Sequence, residues 1–246
     1  MQELDIIILS NAQTPELRDL TSQAIESLLD SEDFNKIRFL IQVFESANTD
    51  PYTYPFCRTI FPRKSFNYNR FMNMGIRNGK APFICLCNND LIFHKGWASA
   101  ILKTLEKYPD LDSASPICEI NHRERGIQPH SGIHLGYEIR KQVTGWCLFF
   151  RRSMLQKTGL LDERFRFWYA DNDYANTLKK NKILHALVTE SRVDHLESQT
   201  LKLKSHREQL MLTTEERFFY EFKWGSRSYF SYLNYRRKNF FRNRKR

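Results

Sequence analysis

Residues Phe83 to Phe93 read FICLCNNDLIF, two apolar runs parted by Asn88, Asn89 and Asp90. Two amides and a carboxylate suit a tight turn at a strand end. They equally suit a divalent cation on a diphosphate, which takes hard oxygen ligands and usually one or two protein carboxylates. A second acidic group, Asp171 and Asp173 in ADNDYANTLKKN, opens a helical pattern. Two positions apart, these carboxylates cannot share a helix face. Asp171 can cap the helix. It can also act as a base toward a hydroxyl, with backbone amides at the helix start favouring its ionised form. His130 and His134 lie in an aperiodic segment and are read as loop residues rather than as a ligand pair.

The elements around these residues alternate. LDIIILS (Leu4–Ser10) reads as a buried strand. Thr14 as N-cap, Pro15 at the first helical position and Glu16 in the first turn then open a helix. IRFLIQVFE (Ile37–Glu45) returns to a strand pattern, completing a βαβ unit. Residues 46–64 read as loop, and a short helix from about Asn67 stops at Asn78-Gly79 before the FICLC strand. A helix near Trp97–Tyr108, strands at Ser113–Ile117 and VTGWCLFFRR, a helix at ADNDYANTLKKN and a last strand or two in HALVTESRVDH follow. Glu119–Lys141 has no period and reads as a loop over a site. The strands end in Ser10-Asn11, Glu45-Ser46 and Asn88-Asn89-Asp90, and open α/β sheets bind ligands beyond such ends. The first strand is followed by no GxGxxG and the chain has no Walker A pattern, so an NAD-type Rossmann site or a P-loop is not expected.

The 246 residues accommodate one large domain with an appendage, and 41% hydrophobic content marks a globular chain. No apolar run approaches the ~18 residues that span a bilayer. MQELDIIILS has no basic n-region, and five scattered cysteines read as free thiols in a reducing cytoplasm. Cys85 and Cys87 share a strand face and read as core. Net charge is +10, but Ser226–Arg246 holds eight Lys or Arg and no acid, leaving +2 for the rest. The basic character belongs to a tail that also carries Tyr229, Phe230, Tyr232, Tyr235, Phe240 and Phe241.

FNYNRFMNMGIRNGKAPFICLCNNDLIF, then TGWCLFFRRSMLQKTGLLDERFRFWYADNDYANTLKKN, then VDHLESQT occur in an order that resembles the family 2 glycosyltransferases of the GT-A fold. The resemblance covers Leu4 to about Thr200. It implies an α/β, Rossmann-like, mostly parallel central sheet flanked by helices over residues 1–200; residues 201–246 read as a helical, basic-aromatic extension. It further implies that Asp90 ends the family's Asp-x-Asp motif and holds a divalent metal, Mn²⁺ or Mg²⁺, on a nucleotide-sugar donor, with Asn88 and Asn89 beside it. Asp171 falls at the catalytic-base position and His195 at a histidine that completes the metal shell. Glu45 stands where an Asp contacts the nucleoside base, and Ser10 and Asn11 at the nucleotide end of the first strand. Asn88 replaces the motif's first Asp, and Ala170 the Glu that often precedes the base.

The resemblance implies an inverting transferase acting on a hydroxyl acceptor, foremost a surface glycan intermediate on a lipid. The basic-aromatic tail would then hold an anionic membrane surface at the inner face. A hydroxylated base in DNA is the alternative acceptor, since the same tail suits phosphates and bases. A non-catalytic nucleic-acid-binding protein is the reading from another class.

Overall fold

The structure is a computed structural model that describes residues 1–47, 51–196, 206–225 and 228–244. Strand β1 (Gln2–Ser10) leads through α1 (Pro15–Asp30) to β2 (Ile37–Glu45) and β3 (Arg58–Ile60). Helix α2 (Tyr68–Asn78), β4 (Phe83–Asn88), β5 (Leu91–Phe93), α3 (Trp97–Lys107) and β6 (Leu111–Ile117) follow. Then come α4 (Glu119–Arg123), β7 (Ile133–Leu135), β8 (Cys147–Arg151), α5 (Leu155–Thr158), α6 (Ala170–Lys180) and β9 (Leu184–His195). Helices α7 (His206–Lys223) and α8 (Tyr229–Arg244) close the described chain.

The helix starts follow from local chemistry. The Thr14 hydroxyl accepts the Leu17 amide at the head of α1, with Pro15 in the first turn. The Asn67 side chain accepts the Arg70 amide at the head of α2. β1 is apolar on both faces because helices cover both faces of the sheet. Ile6, Ile8, Cys85 and Cys87 point toward Ile25 and Leu28 of α1 and Trp97 and Ile101 of α3. Ile7, Leu9, Ile84 and Leu86 point toward Phe71 and Ile76 of α2 and Tyr174 and Leu178 of α6.

The strands order as β3-β2-β1-β4-β8-β6-β9-β5, with β7 also on β9. The sheet is mixed rather than purely parallel, but mostly parallel as expected: β1, β2, β3, β4, β6 and β9 run one way. β3, β2, β1 and β4 are parallel, but β8 runs antiparallel to both β4 and β6, and β5 and β7 run antiparallel to β9. After α4 and β7 the chain returns to the end of β4, where β8 starts with Cys147 opposite Cys87 and runs back to Arg151 opposite Phe83.

The expected extension is helical. The expected boundary at 200/201 falls in residues 197–205, outside the described residues, as do Ser226, Arg227, Lys245 and Arg246 of the tail. Helix α7 packs closely on the body: Phe219 is buried with Phe165 and Ala170. Tyr232 and Tyr235 of α8 stack on Phe222 and Phe218 of α7, at centroid distances of 5.2 and 4.0 Å.

Candidate active site

Antiparallel pairing of β5 with β9 sets Leu91 opposite His195, and the Leu196 amide donates to the Asp90 carbonyl at 2.9 Å. This places Asp90 Oδ1 3.4 Å from His195 Nε2. Both atoms are buried and neither has a hydrogen-bond partner among the described residues. Orphaned polar atoms of this kind cost stability unless something bridges them. A shared divalent cation is such a bridge. Two ligands each ~2.1 Å from one ion, at roughly right angles or slightly wider, lie about 3.0–3.4 Å apart. The indole of Trp146 stacks on the His195 ring at 4.9 Å with an interplanar angle of 12°, fixing its plane. Among the described residues no three His, Cys, Asp or Glu side chains converge. An ion here would draw its other ligands from phosphate and water, as Mg²⁺ commonly does.

Asp171 stands in the first turn of α6, half-buried, its Oδ1 accepting the Asn172 amide at 2.8 Å. Gly145 lies so close that a Cβ there would meet the Asp171 Cβ at 2.9 Å. Burial pushes the Asp171 carboxyl above the usual carboxylate range, opposed by backbone amides and by Arg140. The helix start was expected to favour the ionised form; desolvation outweighs it. Asp173 faces the other way, as its spacing requires. Its Oδ1 accepts from Lys223 Nζ at 2.6 Å and Trp224 Nε1 at 3.0 Å.

Helix α7 and helix α2 hold this segment from two sides. Lys223 also reaches Asp162 at 2.9 Å, and the buried Glu216 accepts the amides of Arg166 and Phe167, both at 3.1 Å. From α2, Asn67, Asn69 and Asn73 donate to the carbonyls of Glu163, Asp162 and Leu161 at 2.7, 2.9 and 2.8 Å. Tyr169, directly before α6, takes a left-handed backbone (φ 59°) and stacks on Tyr220 of α7 at 5.1 Å. Such a conformation in a bulky residue persists only where its surroundings over-determine it, typically at functional sites.

Ser10, Glu45 and Asn89 belong to one buried hydrogen-bond chain. The Asn89 amide donates to Thr21 Oγ1 at 2.9 Å, and Ser10 Oγ lies 3.0 Å from Thr21 Oγ1 and 3.2 Å from the Tyr54 hydroxyl. Tyr54 donates to Glu45 Oε2 at 3.0 Å, while Glu45 Oε1 accepts the amides of Ala12 and Ala47 at 3.1 and 2.7 Å. Burial next to these partners pushes the Tyr54 hydroxyl up to about 12. The chain links the ends of β1, β2 and β4. Asn11 is partly exposed beside it, its Oδ1 accepting from Gln13 Nε2 at 3.3 Å.

A cleft of about 650 Å³ brings Asn88, His195 and Asp171 onto one lining. Ser10, Asn11, Glu45 and Asn89 lie outside that lining, and Asp90 stands behind His195. Tyr68, Trp146, Phe167, Trp168 and Tyr169 supply aromatic walls, and Arg125 and Arg140 cations. Sequence reasoning missed Trp146, Arg140, Tyr54 and the α7 contacts. Asn69 and Asn73, four apart and so on one face of α2, were the signal for the grip on residues 161 and 162.

The sequence matches no protein-family profile and no curated protein. Solved structures share the fold. GalNAc-T7 with UDP, GalNAc and Mn²⁺ superposes with a TM-score of 0.62 at 9% identity, over 79% of this chain and 44% of that one. S. aureus TarS 1-349 gives 0.57 at 12%, over 78% and 59%. The catalytic domain of Drosophila beta1,4-galactosyltransferase 7, complexed with xylobiose, gives 0.52 at 11%, over 86% and 79%. The chain thus spans about half the length of the first two. Its fold is the GT-A fold of these glycosyltransferases.

Proposed function

We propose that the chain is an inverting glycosyltransferase that moves a sugar from a nucleotide-sugar donor to a hydroxyl acceptor. One observation carries this reading: His195, whose ring nitrogen faces the orphaned Asp90 carboxylate, shares a single cleft lining with the half-buried Asp171. Asp90 and His195 would hold a divalent cation, which supplies Lewis-acid stabilisation to a departing diphosphate. Asp171 accepts the acceptor's hydroxyl proton as that oxygen bonds to the anomeric carbon. The bond from that carbon to the donor phosphate breaks, and the nucleoside diphosphate leaves with the electron pair. Attack from the face opposite the leaving group inverts the anomeric centre. The carboxyl's raised affinity for protons suits a base, and Trp168 and Tyr169 suit a sugar ring.

The acceptor that fits best is a glycan intermediate on a lipid. Phe230 is 77% exposed on α8, next to exposed Leu233, Arg236 and Arg237, a surface that suits an anionic bilayer face. No helix among the described residues is long and apolar enough to cross a membrane. Base stacking on DNA draws less support, because Tyr232 and Tyr235 are already stacked on α7. The test is a panel of nucleotide sugars, read by thermal shift with Mn²⁺ or chelator and by release of nucleoside diphosphate. A donor at 100 times its Kd adds about 2.7 kcal/mol of stability. A panel with no metal-dependent shift and no release defeats the reading.

A further inference from the structure

Between β7 and β8 the chain makes a tight turn in which the Glu138 carbonyl accepts the amides of Lys141, Gln142 and Val143 at 3.2, 3.0 and 3.1 Å. The Arg140 amide donates to the Val143 carbonyl at 2.8 Å. Two buried histidines fasten this turn to the sheet. His185 Nε2 lies 2.9 Å from the Gln142 carbonyl and His122 Nε2 lies 3.1 Å from the Lys141 carbonyl. A carbonyl only accepts, so His185 carries its proton on Nε2, and its Nδ1 accepts from Ser113 Oγ at 2.7 Å. Arg140 itself has a left-handed backbone (φ 63°), a costly conformation for a long side chain that this hydrogen-bonded frame imposes.

The frame carries the Arg140 side chain to the cleft lining, beside Arg125. Among the described residues Arg140 meets no carboxylate at ion-pair distance, whereas Arg125 lies 3.8 Å from Glu138. Glu124 and Asp171 are the carboxylates on the same lining, and the charge of Arg140 acts on Asp171. Trp146 and Trp168, also on the lining, each bury an indole N–H that has no partner among the described residues. A guanidinium carried on a held turn and unpaired among the described residues, with two unused donors, describes a place for an anion.

We propose that Arg140 is the specificity-determining residue of an acceptor subsite for acidic sugars, those bearing a carboxylate or phosphate near the hydroxyl that attacks. The guanidinium fork matches either group with two parallel hydrogen bonds. It also screens that anion from Asp171, which must be ionised to take the proton. This deepens the transferase reading and rests on it for the word acceptor. The field of Arg140 falls on the proposed base, while the donor's diphosphate belongs beside Asp90 and His195.

The experiment is saturation-transfer NMR on the full chain with methyl β-glucuronide, glucose 6-phosphate and methyl β-glucoside as probes. Wild type is expected to bind both acidic probes at least about 10-fold more tightly than the neutral one. Arg140→Gln should collapse that preference, and Arg140→Lys, which keeps the charge without the fork, should retain part of it. Equal affinity for all three probes in wild type, or a preference that survives in Arg140→Gln, overturns the proposal. A parallel UDP titration guards the alternative: if Arg140→Gln weakens UDP more than the acidic probes, the arginine belongs to the diphosphate and the proposal fails. Because binding is the readout, Arg140-dependent capture of acidic sugars without transfer from any donor would sink the transferase reading and leave the acidic-sugar site standing.

Discussion

Gly145 and Asp171 touch backbone to side chain: a Cβ at position 145 would stand 2.9 Å from the Asp171 Cβ and 3.0 Å from Oδ2. The loop before β8 and the first turn of α6 are therefore packed to contact, with no slack for one methyl. Gly145→Ala must displace the carboxylate. Overpacking of this kind costs about 1–3 kcal/mol, and we expect transfer to fall at least as steeply as stability. Thermal melts beside turnover check this; wild-type turnover would show that the position of Asp171 is immaterial.

Asp171→Asn separates chemistry from stability. Burial holds the wild-type carboxyl above its usual range. Its neutral form is therefore the one that favours folding, fully so below the unfolded pKa of about 3.9 and less so as pH rises through the folded value. The asparagine variant should melt higher than wild type at neutral pH, with the gap closing in acid. Its transfer should drop about 10²-fold or more, the usual share of a general base. The acid limb of wild-type turnover should lie above the ordinary carboxylate range. A variant that transfers normally returns Asp171 to helix capping.

Asp90→Ala should abolish the Mn²⁺ dependence of nucleotide binding while the circular dichroism spectrum stays unchanged. Calorimetry of UDP with metal and with chelator is the measurement. Identical metal enhancement in the variant would place the cation elsewhere.

Lys223 lies a quarter exposed between two carboxylates, and Asp173 is nearly fully buried. Lys223→Met leaves Asp173 with only the Trp224 indole for compensation. We expect a loss of about 2–3 kcal/mol, less than for a fully buried pair because water reaches the lysine. Adding Asp173→Asn should recover part of it. Denaturant melts of the single and double variants close this cycle, and additive losses would mean the two side chains do not interact.

Deleting Ser226–Arg246 should leave donor hydrolysis nearly intact, since Glu216, Phe219 and Lys223 make their contacts with the body from α7. It should release the protein from anionic liposomes. Retention on liposomes after the deletion would assign membrane contact to another surface.

Much of the frame was legible because local chemistry dictates it. The unbroken apolar run of β1, the Thr14-Pro15 start of α1 and the Asn78-Gly79 stop of α2 each act within a few residues. β3, β5 and β7 were invisible at three residues each, too short for a period of two to register. The antiparallel direction of β8 lies in its long-range pairing with β4 and β6, which no local pattern encodes. Asp90 and His195 meet only through strand pairing, so their partnership came from resemblance and not from spacing. The tail's aromatics misled in part: Tyr232 and Tyr235 are spent on packing between α7 and α8.

The asparagines of α2 grip main-chain carbonyls of residues 161–163. A grip on the main chain fixes the path of a loop and is indifferent to its letters. Leu161 lies on the cleft lining and Phe167 and Trp168 lie just beyond the held stretch. Substitutions at these positions would recut the cleft wall, which on the proposed function faces the incoming sugar, without loosening residues 161–163. Divergence toward new acceptors can therefore proceed one side chain at a time here, at little cost to the geometry that any acceptor requires.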